Sequence, residues 1–156
     1  MAKEKITVNY QFREKLNKTP GGEHHNYCFQ CSACVGVCPA ARFNKDFNPR
    51  QILLKAMLGA EEDLIGKDSI IWKCTNCYSC YERCPQDVRP VEVIIALKNM
   101  AVEKGTAPAS LSKLSENIAI TGLSVKVTSA VNRKRKELGL PDLRHMPLDE
   151  LKEILE

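Results

Sequence analysis

Cys28, Cys31, Cys34 and Cys38 are followed by Pro39, and Cys74, Cys77, Cys80 and Cys84 are followed by Pro85. Both runs read Cys-x2-Cys-x2-Cys-x3-Cys-Pro at an offset of 46 residues, and together they use all eight cysteines of the 156-residue chain. Three thiolates at two-residue gaps wrap one cubane core on a tight loop whose backbone N–H groups face the sulfurs. The fourth lies too far along the turn to close that core and, in paired-cluster proteins, ligates the other one. The spacing therefore predicts two [4Fe–4S] clusters with crossed ligation. One takes Cys28, Cys31, Cys34 and Cys84; the other takes Cys74, Cys77, Cys80 and Cys38. Structural zinc sites are usually Cys-x2-Cys pairs separated by a longer loop, a pattern neither run follows. A site with one open iron would lack a fourth ligand, and neither run lacks one.

These sites need elements to hold them, and the sequence between and after the runs reads as helix. Of the 35 residues between Cys38 and Cys74, Asn48 is an N-cap candidate, Pro49 suits the first helical position and Gly59 suits the end. Ile52, Leu53, Ala56 and Met57 recur at helical spacing. Asp68 is expected to cap a short helix over residues 69–72. Pro90 opens a helix with the apolar face Val93, Ile94, Leu97, Met100 and Ala101, ended by Gly105. Val35, Val37, Trp72, Tyr78, Tyr81 and Val88 lie within or beside the cysteine runs and are expected to exclude water. Residues 106–109 read as a linker. Helices are expected from Ser110 to about Ala119, over about 124–138, and from Pro147 to Leu155, where Asp149 and Glu150 suit the helix dipole. Residues 5–10 are a candidate short strand. His24 and His25 read as solvated loop residues, and His145 is isolated.

The fold class is therefore mainly α. The expected organisation is an N-terminal extension (1–22), a domain with two clusters (23–105) and a helical tail (106–156) suited to docking on a partner.

Composition narrows the function class. Hydrophobic residues make up 44% and charged residues 27%, which is globular rather than disordered. No stretch approaches the roughly 20 apolar residues of a membrane span, and the first residues lack the apolar region of a secretory signal. A cytoplasmic protein without membrane insertion is expected; there disulfides are disfavoured and cysteine-rich motifs point to metal or redox chemistry. The +4 charge is spread evenly, and its one dense run, Arg133-Lys134-Arg135-Lys136, reads as a solvated helix face rather than a nucleic-acid site. Two oxidised clusters at about −2 each bring the total to about zero. No nucleophile–base pair or phosphate loop occurs, so catalytic residues are expected to be none.

Tyr27-Cys28-Phe29-Gln30-Cys31-Ser32-Ala33-Cys34, Val37-Cys38-Pro39, Asn48-Pro49-Arg50, residues 72–85 from Trp72 to Pro85, and Val88-Arg89-Pro90-Val91-Glu92-Val93 together resemble the C subunit of heterodisulfide reductases. The likeness covers roughly residues 20–105, about half the chain. It implies an α-helical ferredoxin fold like the C-terminal part of succinate dehydrogenase iron–sulfur subunits. It also implies electron transfer between a flavin-containing A-type subunit and a catalytic B-type subunit that cleaves a disulfide or acts on other sulfur compounds. Two other readings use the same motifs. A free two-cluster ferredoxin is usually acidic and lacks about 70 residues beyond its last cysteine. A succinate or glycerol-phosphate dehydrogenase subunit usually carries a further [2Fe–2S] domain or more cysteine-rich repeats.

Overall fold

A computed structural model of the chain describes residues 7–125, 127–141 and 143. Among these residues all regular structure is helical. The chain divides into two compact units, Met1–Ala107 and Pro108–Glu156.

In the first unit, α1 (Tyr10–Lys18) starts on Asn9, whose side chain accepts from the Phe12 N–H. It buries Phe12 and Leu16. The candidate strand over residues 5–10 is not formed in its described part: residues 7–9 are irregular and Tyr10 opens the helix, while residues 5 and 6 lie outside the described residues. The Asn9 cap and the Phe12/Leu16 spacing, four apart, outweigh the short β-favouring stretch before them. A 3₁₀ turn, His25–Tyr27, leads into the first cysteine loop. The short α2 (Ala33–Gly36) and α3 (Pro39–Phe43) follow, α3 opening on Pro39 with Cys38 as its cap.

The long middle helix α4 (Pro49–Leu58) has the expected ends: Asn48 accepts from the Gln51 N–H, and Gly59 closes it at φ 74°. Ile52, Leu53 and Ala56 are buried along it. After α5 (Glu61–Ile65), the segment expected as a helix capped by Asp68 is instead a 3₁₀ turn, Ile70–Lys73. Its cap is Ser69, whose hydroxyl accepts from the Ile71 N–H, and Asp68 is left-handed at φ 59°. The second loop then runs into α6 (Ser79–Glu82). Next comes α7 (Pro90–Glu103), which buries eight of its residues, including Val91, Val93, Ile94, Leu97 and Met100. A helix apolar around so much of its circumference belongs inside a domain, and α7 packs against α4, α5, α6 and the second 3₁₀ turn. Each of its large aliphatic side chains contributes about 1.5–3 kcal/mol by burial. Thr106, expected in a linker, is tied to this unit: its hydroxyl donates to the Ile65 carbonyl at 2.6 Å.

The second unit contains α8 (Ala109–Thr121) and α9 (Ser129–Glu137), neither of which buries a residue. Pro108 rather than Ser110 precedes α8, and Thr128 caps α9 through the Val131 N–H. The helix expected from Pro147, and His145, lie outside the described residues.

Candidate metal centre

The two cysteine runs fold alike, residue for residue. Gln30 and Ser32 in the first loop, and Asn76 and Tyr78 in the second, adopt left-handed backbone conformations at φ 58°, 69°, 51° and 61°. None is glycine, so each carries a conformational cost that the surroundings must hold in place. Each pair is followed by one turn of helix (α2, α6), in which Ser32 and Tyr78 carbonyls accept from the N–H groups three and four residues on. This geometry coils the first three cysteines of each run around a common centre, and α2 packs on α6 to bring the two loops together.

The fourth cysteine of each run goes elsewhere. Cys28, Cys31, Cys34 and Cys84 line one cavity, together with Gln30, Arg50, Leu53, Val88 and Pro90. Cys38, Cys74, Cys77 and Cys80 line the other, with Phe47, Pro49, Val91 and Ile94. The first turns of α4 and α7 thus border both cavities: Arg50 and Pro90 at the first, Pro49 and Val91 at the second. Among the described residues no three His, Cys, Asp or Glu side chains converge on a single ion.

Within each set the cysteines differ in exposure. Cys31 and Cys77 are exposed, while Cys34 and Cys80 are each only 8% exposed and share a small apolar cluster with Val91. Buried thiols resist ionisation. Burial, then the neighbouring sulfurs of Cys80, Cys28 and Cys31, push the Cys34 thiol up to about 12. Burial, then Cys74, push Cys80 up to about 11, against a hydrogen bond from the Val91 backbone. Cys74 is raised by burial, which outweighs the Asn76 backbone and the Lys98 ammonium. Exposed Cys77 is lowered, first by the Ser79 backbone N–H and then by its hydroxyl, which lies 3.6 Å from Sγ.

Donors also meet the sulfurs of Cys28, Cys38 and Cys84. The Gln30 N–H and side-chain amide lie 3.4 and 3.3 Å from Cys28 Sγ. The Ala41 N–H lies 3.4 Å from Cys38 Sγ, and the Val88 N–H lies 3.4 Å from Cys84 Sγ. Such bonds favour thiolate, and a cationic metal core supplies the charge that makes four crowded thiolates stable. The residues present therefore fit an iron–sulfur core in each cavity.

Three features around the cavities have contacts that spacing along the sequence does not report. Lys98 donates to the Cys74 carbonyl and to Asn76 Oδ1, both at 3.0 Å, and stands 5.8 Å above the centre of the Trp72 ring. Arg50 lines the first cavity with its Nε buried and unpartnered. His25, expected in solvent, is fully buried: the 3₁₀ turn packs on α4, and His25 Nδ1 lies 2.7 Å from the Gly22 carbonyl. Of the expected water-excluding side chains, Val88 is buried, Trp72 is half-buried and Tyr78 is 45% exposed. Tyr81 carries the Arg89 guanidinium 5.4 Å above its ring centre.

A domain family described as a 4Fe-4S dicluster domain matches residues 24–88. With eight cysteines present, the chain carries two [4Fe–4S] clusters. The chain is 37% identical over 139 residues to the C subunit of the H(2):CoB-CoM heterodisulfide,ferredoxin reductase of Methanothermobacter thermautotrophicus, covering 89% of this chain and 74% of the relative. It is 39% identical over 114 residues to the second iron–sulfur C subunit of the CoB–CoM heterodisulfide reductase of Methanocaldococcus jannaschii, covering 73% of this chain and 60% of the relative. It is 32% identical over 134 residues to the C subunit of the ferredoxin:CoB-CoM heterodisulfide reductase of Methanosarcina mazei, covering 82% of this chain and 81% of the relative.

Proposed function

The chain belongs to the family of heterodisulfide reductase C subunits, and from that membership we propose that it relays electrons between a flavin-containing A-type subunit and a catalytic B-type subunit of a cytoplasmic complex acting on a disulfide or another sulfur compound. Residues 23–105 form an α-helical ferredoxin domain in this reading. Residues 1–22 are an extension, in which α1 braces the domain through α4, and residues 106–156 dock on a partner. The domain has no catalytic residue of its own. The described helices include none long and apolar enough to cross a membrane.

One cluster is held by Cys28, Cys31, Cys34 and Cys84, and the other by Cys74, Cys77, Cys80 and Cys38. The observation that carries this reading is that the fourth cysteine of each run lines the cavity of the other run. When bound, the clusters supply reversible one-electron chemistry; the chain sets their spacing, potential and access. Exposed Cys31 and Cys77 give each cavity an edge at the surface, whereas Cys34, Val91 and Cys80 lie buried together. That order suits a relay with an entry, a short protected crossing and an exit.

The test is Cys84→Ser in the cluster-loaded chain, followed by electron paramagnetic resonance after reduction. The signal of the cluster on Cys28, Cys31 and Cys34 is expected to change or vanish while the other persists. Selective loss of the cluster on Cys74, Cys77 and Cys80 refutes the crossed assignment. Copurification with a flavoprotein and a second cysteine-rich protein tests the relay; a stable monomer that binds neither refutes it.

A further inference from the structure

Arg50 stands in the first turn of α4 and lines the cavity shared by Cys28, Cys31, Cys34 and Cys84. Its Nε is buried without a hydrogen-bond partner, and among the described residues no carboxylate pairs with its guanidinium. Arg50 as a whole is half-buried, but a buried donor left unpaired is destabilising, so the inward-facing Nε–H is arranged around an acceptor the protein atoms do not supply. The second cavity has no charged side chain in its lining. Lys98, whose charge is felt at the Cys74 thiol, bonds to the Cys74 carbonyl and Asn76 and does not line that cavity.

Resting on the ligand assignment above, we propose that Arg50 donates its Nε–H to a sulfur of the cluster held by Cys28, Cys31, Cys34 and Cys84, and raises that cluster's reduction potential. Reduction adds one electron to the core and takes core plus four thiolates from about −2 to about −3. No covalent bond forms or breaks and no proton moves. A guanidinium stays charged throughout the working pH range, so it stabilises the more negative state more than the less negative one. Hydrogen bonds to cluster sulfurs and buried charge are the levers by which a protein sets such potentials. Arg50 therefore makes the two clusters unequal, even though the loops that hold them are near copies, and it makes the first a better electron acceptor than its ligands alone would.

The experiment is a dithionite redox titration of the full, cluster-loaded chain, followed by electron paramagnetic resonance, with Arg50→Gln and Arg50→Lys. Cys31→Ser marks which signal belongs to the first cluster. Arg50→Gln is expected to shift the reduction equilibrium of that cluster about tenfold towards the oxidised form, which for one electron is about 59 mV downward, and to leave the other unshifted. Arg50→Lys, which keeps the charge and loses the planar donor, is expected to shift it by less. If Arg50→Gln does not retain the cluster, Arg50→Lys decides: a smaller downward shift confined to the marked signal supports the proposal, and no shift overturns it. Equal shifts in both signals, or none, also overturn it. The Cys84→Ser spectrum separates failure of the ligand assignment from failure of the Arg50 role. Selective loss of the cluster on Cys74, Cys77 and Cys80 in that variant overturns both together. Loss confined to the cluster on Cys28, Cys31 and Cys34, with no selective shift on substitution of Arg50, overturns the Arg50 role alone.

Discussion

Lys98→Met tests whether the second loop is held by the helix behind it. The substitution keeps an unbranched apolar stem and removes the ammonium, with its two hydrogen bonds at 3.0 Å to the Cys74 carbonyl and Asn76 Oδ1, and its contact with the Trp72 ring. Asn76 is left-handed at φ 51° and has no other side-chain anchor among the described residues. Hydrogen bonds from charged donors are worth about 1.5–3 kcal/mol each. Lys98 is half-buried, and water competes for its ammonium, so about 1 kcal/mol per bond is a fairer figure, or about 2 kcal/mol for the pair. At about 1.4 kcal/mol per factor of ten, the loop opens about 30 times more often. The assay is iron release to an external chelator from the cluster-loaded chain, followed over time. Release from the centre at Cys38, Cys74, Cys77 and Cys80 is expected to accelerate by about that factor, with the centre at Cys28, Cys31, Cys34 and Cys84 unchanged. Arg at this position restores donors and is expected to recover most of the effect. Equal acceleration of both phases, or of neither, refutes the idea that Lys98 acts locally on the second loop.

His25 and Gly59 give two further tests. Burial, above all, holds the His25 imidazolium below its usual range, against the Gly22 carbonyl. The unfolded chain takes up a proton near pH 6.5 where the folded one does not, so stability is full above about pH 6.5 and falls as pH drops towards the lowered folded value. Denaturant midpoints are expected to show this loss, at no more than about 1.4 kcal/mol per pH unit, and His25→Gln to remove that component; an unchanged pH dependence refutes it. Gly59 is left-handed at φ 74°, and a methyl group there would collide with the Asn9 carbonyl. Gly59→Ala is expected to cost about 1–2 kcal/mol in backbone strain alone and to loosen α1, whose Asn9 N–H donates to the Gly59 carbonyl at 2.8 Å. Hydrogen exchange of the α1 amides reads this directly, and unchanged protection there counts against it.

What the sequence makes legible follows from how local each signal is. The ends of α4 are written in Asn48-Pro49 and Gly59, and the inner face of α7 in Val93, Ile94, Leu97 and Met100; all act within a few residues, and all stand as expected. The cysteine runs are legible because metal ligation demands fixed spacing. The α1 helix carries local signals in the Asn9 cap and the Phe12/Leu16 spacing, but these compete with a β-favouring stretch just before them, and the packing of α1 on α4, some 40 residues away, is not local. Asp68 and Ser69 are both good caps, and only the turn that Asp68 makes at φ 59° decides between them. His25 is misread because a histidine beside glycines looks solvated until α4 covers it. Arg50 and Lys98 look like ordinary surface charges in one dimension. Their roles arise from the crossing of α4 and α7 with the loops, which no spacing along the chain reports.

Because each fourth cysteine lines the cavity opposite its own run, neither cavity has its four thiols until the two loops have met. A chain emerging from the ribosome holds Cys28, Cys31 and Cys34 without Cys84, and Cys38 without Cys74, Cys77 and Cys80, until the second run follows. Strained left-handed residues at Gln30, Ser32, Asn76 and Tyr78 add a reason for the empty loops to relax, so metal insertion and the last stage of folding become one event. Maturation of this protein is then a late event: each centre is filled only on a chain long enough for both loops, and each fourth cysteine ties its own loop to the centre across from it.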